Sequence, residues 1–111
     1  MINKNFLEEP NIVDLSKEIF KEVVQNKLKI DTRFSLLSDD VHEADTINFI
    51  LADGLGYENL KSTDSYLNKN VTRSINTTFP SSTNVALSSI AFMKNPIEHG
   101  LIGYYMYDKS Q

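Results

Sequence analysis

Two loops of the sequence carry side chains that could act on a phosphorus ester. Asp53 is followed by Gly54-Leu55-Gly56, and Thr83 comes directly after a Phe-Pro-Ser-Ser sequence. A threonine hydroxyl is a weak nucleophile unless a base removes its proton or a bound cation lowers its pKa. No histidine lies close to Thr83 along the chain, whereas the Asp53 carboxylate could hold a divalent cation. The two loops therefore indicate metal-assisted attack on a phosphorus ester.

Each of these residues also has a purely structural interpretation. An aspartate before a glycine often only forms a turn, and a serine or threonine ahead of a helix is more often a cap than a nucleophile. Of the two histidines, His99 is expected to make structural hydrogen bonds and His42 to be solvated. The acidic residues around His42 are typical of a solvated face, although cation binding by them is conceivable; they are Asp39, Asp40, Glu43 and Asp45.

The segments that would position the two loops alternate between helix and strand. Periodicity and capping signals predict helices at about residues 15–28, 57–67 and 82–93, and strands at residues 46–52, 71–77 and 101–107. Such alternation is typical of an α/β fold, with a mainly parallel sheet flanked by helices. The sheet looks incomplete, because so few elements barely cover both of its faces.

In this α/β arrangement the reactive residues would lie where ligands usually bind. Open α/β sheets bind ligands at the carboxyl ends of their strands, and Asp53 would stand at the end of strand 46–52. Thr83 would stand at a helix N-terminus, where free N–H groups and the helix dipole favour an anion. Both placements are consistent with a phosphate ester as the substrate.

Composition excludes several functional classes. The 111 residues make about one domain, and 11 Lys and Arg against 15 Asp and Glu give a net charge of −4. This acidic balance argues against a nucleic-acid polymer as partner. The absence of cysteine excludes disulfides and thiolate metal sites. No apolar run is long enough to span a membrane, and the first ten residues lack a leader pattern, so a cytoplasmic location without membrane contact is expected.

Three segments, in this order, resemble motifs of the type I phosphodiesterase/nucleotide pyrophosphatase family, which belongs to the alkaline phosphatase superfamily. They are INFILADGLG, TFPSSTNVAL and NPIEHGLIGY, at residues 47–56, 78–87 and 95–104. The resemblance covers about residues 46–108. It implies that residues 46–111 form the N-terminal portion of an alkaline-phosphatase-like catalytic domain, after an N-terminal helix and acidic connection at residues 1–45. It also implies hydrolysis of phosphoric esters through a phospho-threonine, with two divalent metal ions, usually zinc.

The resemblance assigns roles to individual residues. Asp53 matches the family's first metal-binding aspartate, and Thr83 matches the nucleophile, which also contacts a metal. Asn84 and Tyr104 are the candidate substrate-binding residues; Tyr104 stands where nucleotide-cleaving members often have an asparagine. Another departure is the Phe92-Met93 pair, where the family often has Thr-Gly. A small phosphate ester or a nucleotide is thus the expected substrate, with its identity open.

The sequence supplies fewer metal ligands than the resemblance requires. Two zinc ions take roughly four ligands each, and only Asp53 and Thr83 match ligand positions of the family. The chain is therefore expected to be the N-terminal part of such an enzyme, inactive by itself, with the other ligands on a missing C-terminal segment or a partner chain. Two alternatives stay open: a non-catalytic chain that binds phosphate or a nucleotide, and a remnant or subunit that pairs with a second chain.

Overall fold

A computed structural model of the chain describes residues 8–25 and 27–105, and the regular secondary structure of these residues is helical. The helices are α1 (Ile12–Val23), α2 (Asp39–His42), α3 (Tyr57–Lys61), α4 (Tyr66–Lys69), α5 (Thr83–Phe92) and α6 (Pro96–His99). Helix α5 contacts both α1 and α6, and α3 contacts α4. The helix predicted at 82–93 is therefore confirmed, whereas the one predicted at 57–67 is divided into α3 and α4.

The predicted α/β fold with a mainly parallel sheet is wrong, because residues 8–25 and 27–105 contain no strand. Segments 46–52, 71–77 and 101–105 are all irregular, and the last two residues of the predicted third strand lie outside the described residues. Segment 71–77 forms a single parallel bridge, between Asn76 and Asn11. Asp53 consequently follows an irregular segment and not the carboxyl end of a strand.

Segment 46–52 shows why a strand pattern did not produce a strand. Its residues suit a buried strand, yet Ile50 is 85% exposed, Phe49 47% and Leu51 46%. A strand is stabilised by hydrogen bonds and side-chain contacts with its neighbours in the sheet. No backbone hydrogen bond among the described residues joins 46–52 to another segment. The residue types in this segment favour a strand on a pleated, half-buried sheet surface. The described part of the chain contains no such surface for them to pack on.

Asn11 fixes the start of α1, which begins before the predicted residue Leu15. The Asn11 side chain accepts hydrogen bonds from the backbone N–H groups of Val13 and Asp14, and the Asp14 carboxylate accepts one from the N–H of Asn11. This reciprocal arrangement is a capping box. Asp14, which directly precedes the predicted helix start at Leu15, is therefore the third residue of the helix and not its cap. The helix ends at Val23, earlier than its apolar pattern predicted.

The same asparagine attaches α1 to two distant segments. Asn11 Nδ2 donates to Asn95 Oδ1 at 3.0 Å. Next to it, the N–H of Ile12 donates to the carbonyl of Asn76 at 3.0 Å, and the N–H of Asn76 donates to the carbonyl of Pro10 at 3.1 Å. Asn11 itself is fully buried. These bonds place the start of α1 beside the start of α6 and beside the chain that leads into α5.

Acidic residues of α1 also hold the segment that follows the helix. Glu18 is 6% exposed and accepts hydrogen bonds from the backbone N–H groups of Leu36, at 2.8 and 2.9 Å, and of Leu37, at 3.3 Å. Four residues later, Glu22 Oε1 lies 2.6 Å from His42 Nδ1. Residues spaced by four share one face of a helix. The acidic connection is therefore anchored along one face of α1.

An ion pair between a buried carboxylate and a partly exposed arginine on this face predicts acid sensitivity. Arg33 donates through Nε and Nη2 to the two oxygens of Asp14, at 2.9 and 2.8 Å, and Asp14 is 4% exposed. Burial by itself would raise the pKa of Asp14, but the hydrogen bonds from Arg33 and Asn11 outweigh burial and lower the pKa below its ordinary value. A lowered carboxyl pKa stabilises the folded chain above the unfolded pKa, about 3.9, and this stabilisation disappears as the pH falls through the folded pKa.

We therefore expect Asp14→Asn to lower the free energy of unfolding at neutral pH and to cost less below about pH 4. Urea unfolding, followed by circular dichroism at both pH values, measures the difference between variant and parent. Asp64→Asn is the matched control, because Asp64 is exposed and pairs with Lys69 on the surface. A difference between Asp14→Asn and the parent that is the same at both pH values would contradict this expectation.

Candidate functional site

The two loops predicted to carry the chemistry meet in the structure. Thr83 Oγ1 donates a hydrogen bond to Asp53 Oδ1 at 3.2 Å, although the two residues are 30 positions apart along the chain. Asp53 is exposed and Thr83 is half-buried. The pair consequently places a hydroxyl oxygen beside a carboxylate at the surface, where a small molecule has access to both.

Glycine gives the Asp53 loop its shape. Gly54 has φ +74, in the left-handed region that side chains other than glycine rarely adopt. A Cβ atom at this position would meet nothing within 4 Å, so backbone conformation and not space accounts for the glycine. The chain then enters α3 with Gly56 as the N-cap. The loop thus reverses direction immediately after Asp53 and leaves the carboxylate exposed.

Thr83 is the first residue of α5, and the start of this helix lacks a side-chain cap. Ser82 is the N-cap residue, but its side chain makes no capping hydrogen bond. Its hydroxyl donates instead to Asn84 Oδ1, at 2.9 Å. Because the cap is missing, the first N–H groups of α5 remain available to another acceptor, and the helix dipole favours a negatively charged one.

The predicted substrate-binding residues occupy different surroundings. Asn84 is half-buried next to Thr83 and bonds to Ser82. Tyr104 is 69% exposed and, within the described residues, makes no hydrogen bond to Asp53, Thr83 or Asn84. The structure therefore brings Asp53 and Thr83 into contact, whereas Asn84 is only the sequence neighbour of Thr83 and Tyr104 bonds to none of them among the described residues.

The donors present fall short of the implied pair of zinc ions. Asp53 and Thr83 supply one carboxylate and one hydroxyl, whereas each zinc ion takes roughly four ligands. Residues 8–25 and 27–105 contain no group of three or more His, Asp or Glu side chains that could hold a metal ion. Asp108 lies outside the described residues. A two-metal centre does not fit these donors alone and stays a prediction.

The two histidines are both engaged in side-chain contacts. His42, expected to be solvated, pairs with Glu22 and keeps 39% of its side chain exposed. His99 lies 2.7 Å from the Oγ of Ser89, as expected for a structural residue. Ser89 is fully buried, and no local pattern indicates its role, because its partner is ten residues away in another helix. By contrast, the spacing Asn11-x-x-Asp14, an asparagine followed three residues later by an acidic residue, could have identified Asn11 as the cap of α1 from the sequence.

An apolar groove lies between α1 and α5, away from the predicted site residues. Its volume is about 330 Å³. On the α1 side it is lined by Ser16, Ile19, Phe20 and Val23, and on the other side by Phe49, Ile90, Ala91 and Met93. None of Asp53, Thr83, Asn84 or Tyr104 lines it.

Across the described ranges, no helix has the length and apolar character needed to cross a membrane.

Comparisons with models of protein families, with curated proteins and with solved structures give no match. The assignment to the type I phosphodiesterase/nucleotide pyrophosphatase family therefore stays a prediction, which rests on the three motifs at residues 47–56, 78–87 and 95–104.

Proposed function

We propose that Asp53 and Thr83 are part of a site for metal-dependent hydrolysis of phosphoric esters, of the phosphodiesterase/nucleotide pyrophosphatase type. The observation that carries the proposal is the 3.2 Å hydrogen bond between Thr83 Oγ1 and Asp53 Oδ1. Two residues selected for their chemistry, from loops far apart in sequence, are in contact. A hydrogen bond to a carboxylate can orient a threonine hydroxyl for nucleophilic attack.

In the proposed reaction Thr83 Oγ1 loses its proton to solvent as it forms a bond to phosphorus, and the ester P–O bond breaks as the leaving oxygen takes up a proton from water. Water later hydrolyses the phospho-threonine, which releases the phosphate and restores the hydroxyl. Asp53 accepts the hydrogen bond of the hydroxyl and so fixes the direction of the attacking oxygen. The uncapped N–H groups at the start of α5 stabilise the negative phosphoryl oxygens. A metal centre would lower the pKa of the hydroxyl, and the described residues would contribute Asp53 and Thr83 to it.

The charge of the chain favours a small substrate. A net charge of −4 and only two arginines are unsuited to a nucleic-acid polymer, which binds through many phosphate contacts. A nucleotide or another small phosphate ester needs only a local site with a cation and a few N–H donors. A cytoplasmic location belongs to the same proposal.

Manganese binding tests the site without requiring turnover. Mn²⁺ broadens the NMR signals of nearby nuclei, so we expect substoichiometric Mn²⁺ to broaden the amide signals of residues 53–56 and 81–84 first. Asp53→Asn should abolish this selective broadening, because it removes the anionic oxygen that faces Thr83. Asp64→Asn should leave the broadening unchanged, since Asp64 is an exposed aspartate paired with Lys69. A chelator should restore all signals.

Two results would contradict the proposed cation site. One is equal broadening around every exposed aspartate, which would mean only weak attraction to a negatively charged chain. The other is broadening at residues 53–56 that survives Asp53→Asn. Because the measurement uses the chain alone, it does not depend on a source for the remaining metal ligands.

A second candidate function is that of a subunit that pairs with another polypeptide. Phe49, Ile50 and Leu51 expose large apolar side chains in consecutive positions, which a folded monomer usually buries. A partner that covers them would also be a source of further metal ligands for Asp53 and Thr83. The two candidates differ in whether Asp53 and Thr83 take part in a reaction once the partner is bound: in the second candidate the chain is a non-catalytic subunit.

A further inference from the structure

His99 connects helix α5 to the segment that follows α6. Its Nε2 lies 2.7 Å from the Oγ of Ser89 on α5, and its Nδ1 accepts a hydrogen bond from the N–H of Leu101 at 3.0 Å. Ser89 Oγ donates to the carbonyl of Val85 at 2.8 Å. Ser89 and Val85 are fully buried, and His99 is half-buried. Both ring nitrogens are therefore engaged.

Counting donors and acceptors determines where the imidazole proton lies. The backbone N–H of Leu101 is always a donor, so Nδ1 has to be the unprotonated, accepting nitrogen. A neutral histidine then carries its proton on Nε2. Ser89 Oγ accepts the hydrogen bond from this N–H, which is possible because the hydroxyl hydrogen of Ser89 is directed to the carbonyl of Val85. Each donor in the set has one acceptor only when His99 is neutral.

A second proton on His99 disrupts this arrangement at Nδ1. It would go to Nδ1, where the N–H of Leu101 already points, and two donors would face each other. We propose that His99 is an acid-sensitive latch: the imidazole that bonds to Ser89 of α5 also holds the N–H of Leu101, and with it the start of segment 101–105, only while it is neutral. Acidification would release this segment, including the exposed Tyr104 and Tyr105. The proposal is independent of the proposed catalysis.

The charges around His99 do not supply another acceptor for Nδ1. Helix α5, against which α6 packs, has no charged side chain. On α6 the Glu98 carboxylate accepts hydrogen bonds from the backbone and side-chain nitrogens of Asn95. In the connection between the helices Lys94 is positive and opposes a second positive charge. Where α1 approaches α6 through Asn11, the Asp14 carboxylate is paired with Arg33.

Two NMR measurements on the full chain test the latch. Long-range proton–nitrogen correlation at neutral pH should show His99 with the proton on Nε2 and an unprotonated Nδ1. Hydrogen exchange of the Leu101 amide, expressed relative to its intrinsic rate, should then lose about tenfold protection as the pH is lowered from neutral into the acidic range. Amides in the middle of α5 should not show this loss.

The other histidine provides a matched control with the opposite response. His42 Nδ1 faces the Glu22 carboxylate, so protonation strengthens that contact, and His42→Gln should leave the acid loss at Leu101 unchanged. His99→Gln should make the exchange of Leu101 independent of pH in this range. A proton on Nδ1 in the parent chain, or protection of Leu101 that does not change on acidification, would overturn the proposal. The tautomer measurement needs no variant and so decides the matter even if His99→Gln does not fold.

Discussion

Replacing Thr83 with alanine is expected to lower phosphodiester hydrolysis by about a thousandfold or more, the effect of removing a nucleophile. Thr83→Ser should retain a measurable part of the rate, because it keeps an oxygen at the position that faces Asp53. The measurement uses a chromogenic phosphodiester with Zn²⁺ or Mn²⁺. The assay compares two preparations. The first is the chain purified from the cells that make it naturally, together with any polypeptide that stays bound to it; the second is the chain produced by itself. We expect turnover in the first preparation and almost none in the second.

The controls separate catalysis from binding and folding. The circular dichroism of Thr83→Ala should match that of the parent, since the lost hydroxyl makes its hydrogen bond at the surface. Light scattering on the active preparation shows whether a second polypeptide is present. Full turnover in Thr83→Ala would remove this residue from the reaction. Selective Mn²⁺ binding at residues 53–56 without turnover in either preparation would support the non-catalytic alternative.

Local signals in the sequence predicted the structure around Thr83 well. Ser82 and Thr83 precede an apolar segment that starts a helix, and Asn95-Pro96 follows its end, so α5 lies where it was expected. Each of these signals depends on a few neighbouring residues. The contact between Thr83 and Asp53 was anticipated for a different reason, since both loops were expected at one edge of a sheet. The contact is present without that sheet.

The sheet was mispredicted because a strand depends on distant parts of the chain. The residue types at 46–52 favour a strand, but a strand does not form without a neighbouring strand, and no backbone hydrogen bond joins this segment to another one within residues 8–25 and 27–105. In the same described ranges, residues 71–77 pair only with Asn11, in a segment with no strand character. Side-chain pattern alone contains no information about such a partner.

Helix α1 shows a second limit of pattern reading. Its apolar stripe predicted the buried face, yet Val23 is 62% exposed and Phe20 38%, while Glu18 is 6% exposed. Which side chains of α1 are buried depends on the segments that pack against the helix. Residues 33–42 cover the acidic face of α1, because Glu18 accepts their N–H groups and Asp14 pairs with Arg33. A carboxylate can be buried when each of its oxygens accepts a hydrogen bond.

Replacing Asn11 with alanine is expected to lower the free energy of unfolding by about 2 to 3 kcal/mol, because loss of an N-cap costs about 1 kcal/mol and loss of a buried hydrogen-bond partner adds a similar amount or more. Asn11 caps Val13 and Asp14 and donates to Asn95, all from a fully buried position. Among the described residues only the hydrophobic side chains of Val13 and Val85 are fully buried, so polar contacts carry much of the stability. Urea unfolding followed by circular dichroism measures the loss.

Two further variants divide this loss between its causes. Asn11→Ser keeps an oxygen for the cap but is too short to replace the bond to Asn95, so it should recover about 1 kcal/mol of the loss. Ser38→Ala changes an N-cap whose side chain makes no capping bond, on α2, and should stay within about 0.5 kcal/mol of the parent. Because Asn95 also begins the helix that ends at His99, only the variants that lose the Asn95 bond should speed the exchange of the Leu101 amide. Equal stability of Asn11→Ala and Ser38→Ala would show that α1 is held in place by its apolar contacts with α5 and not by Asn11.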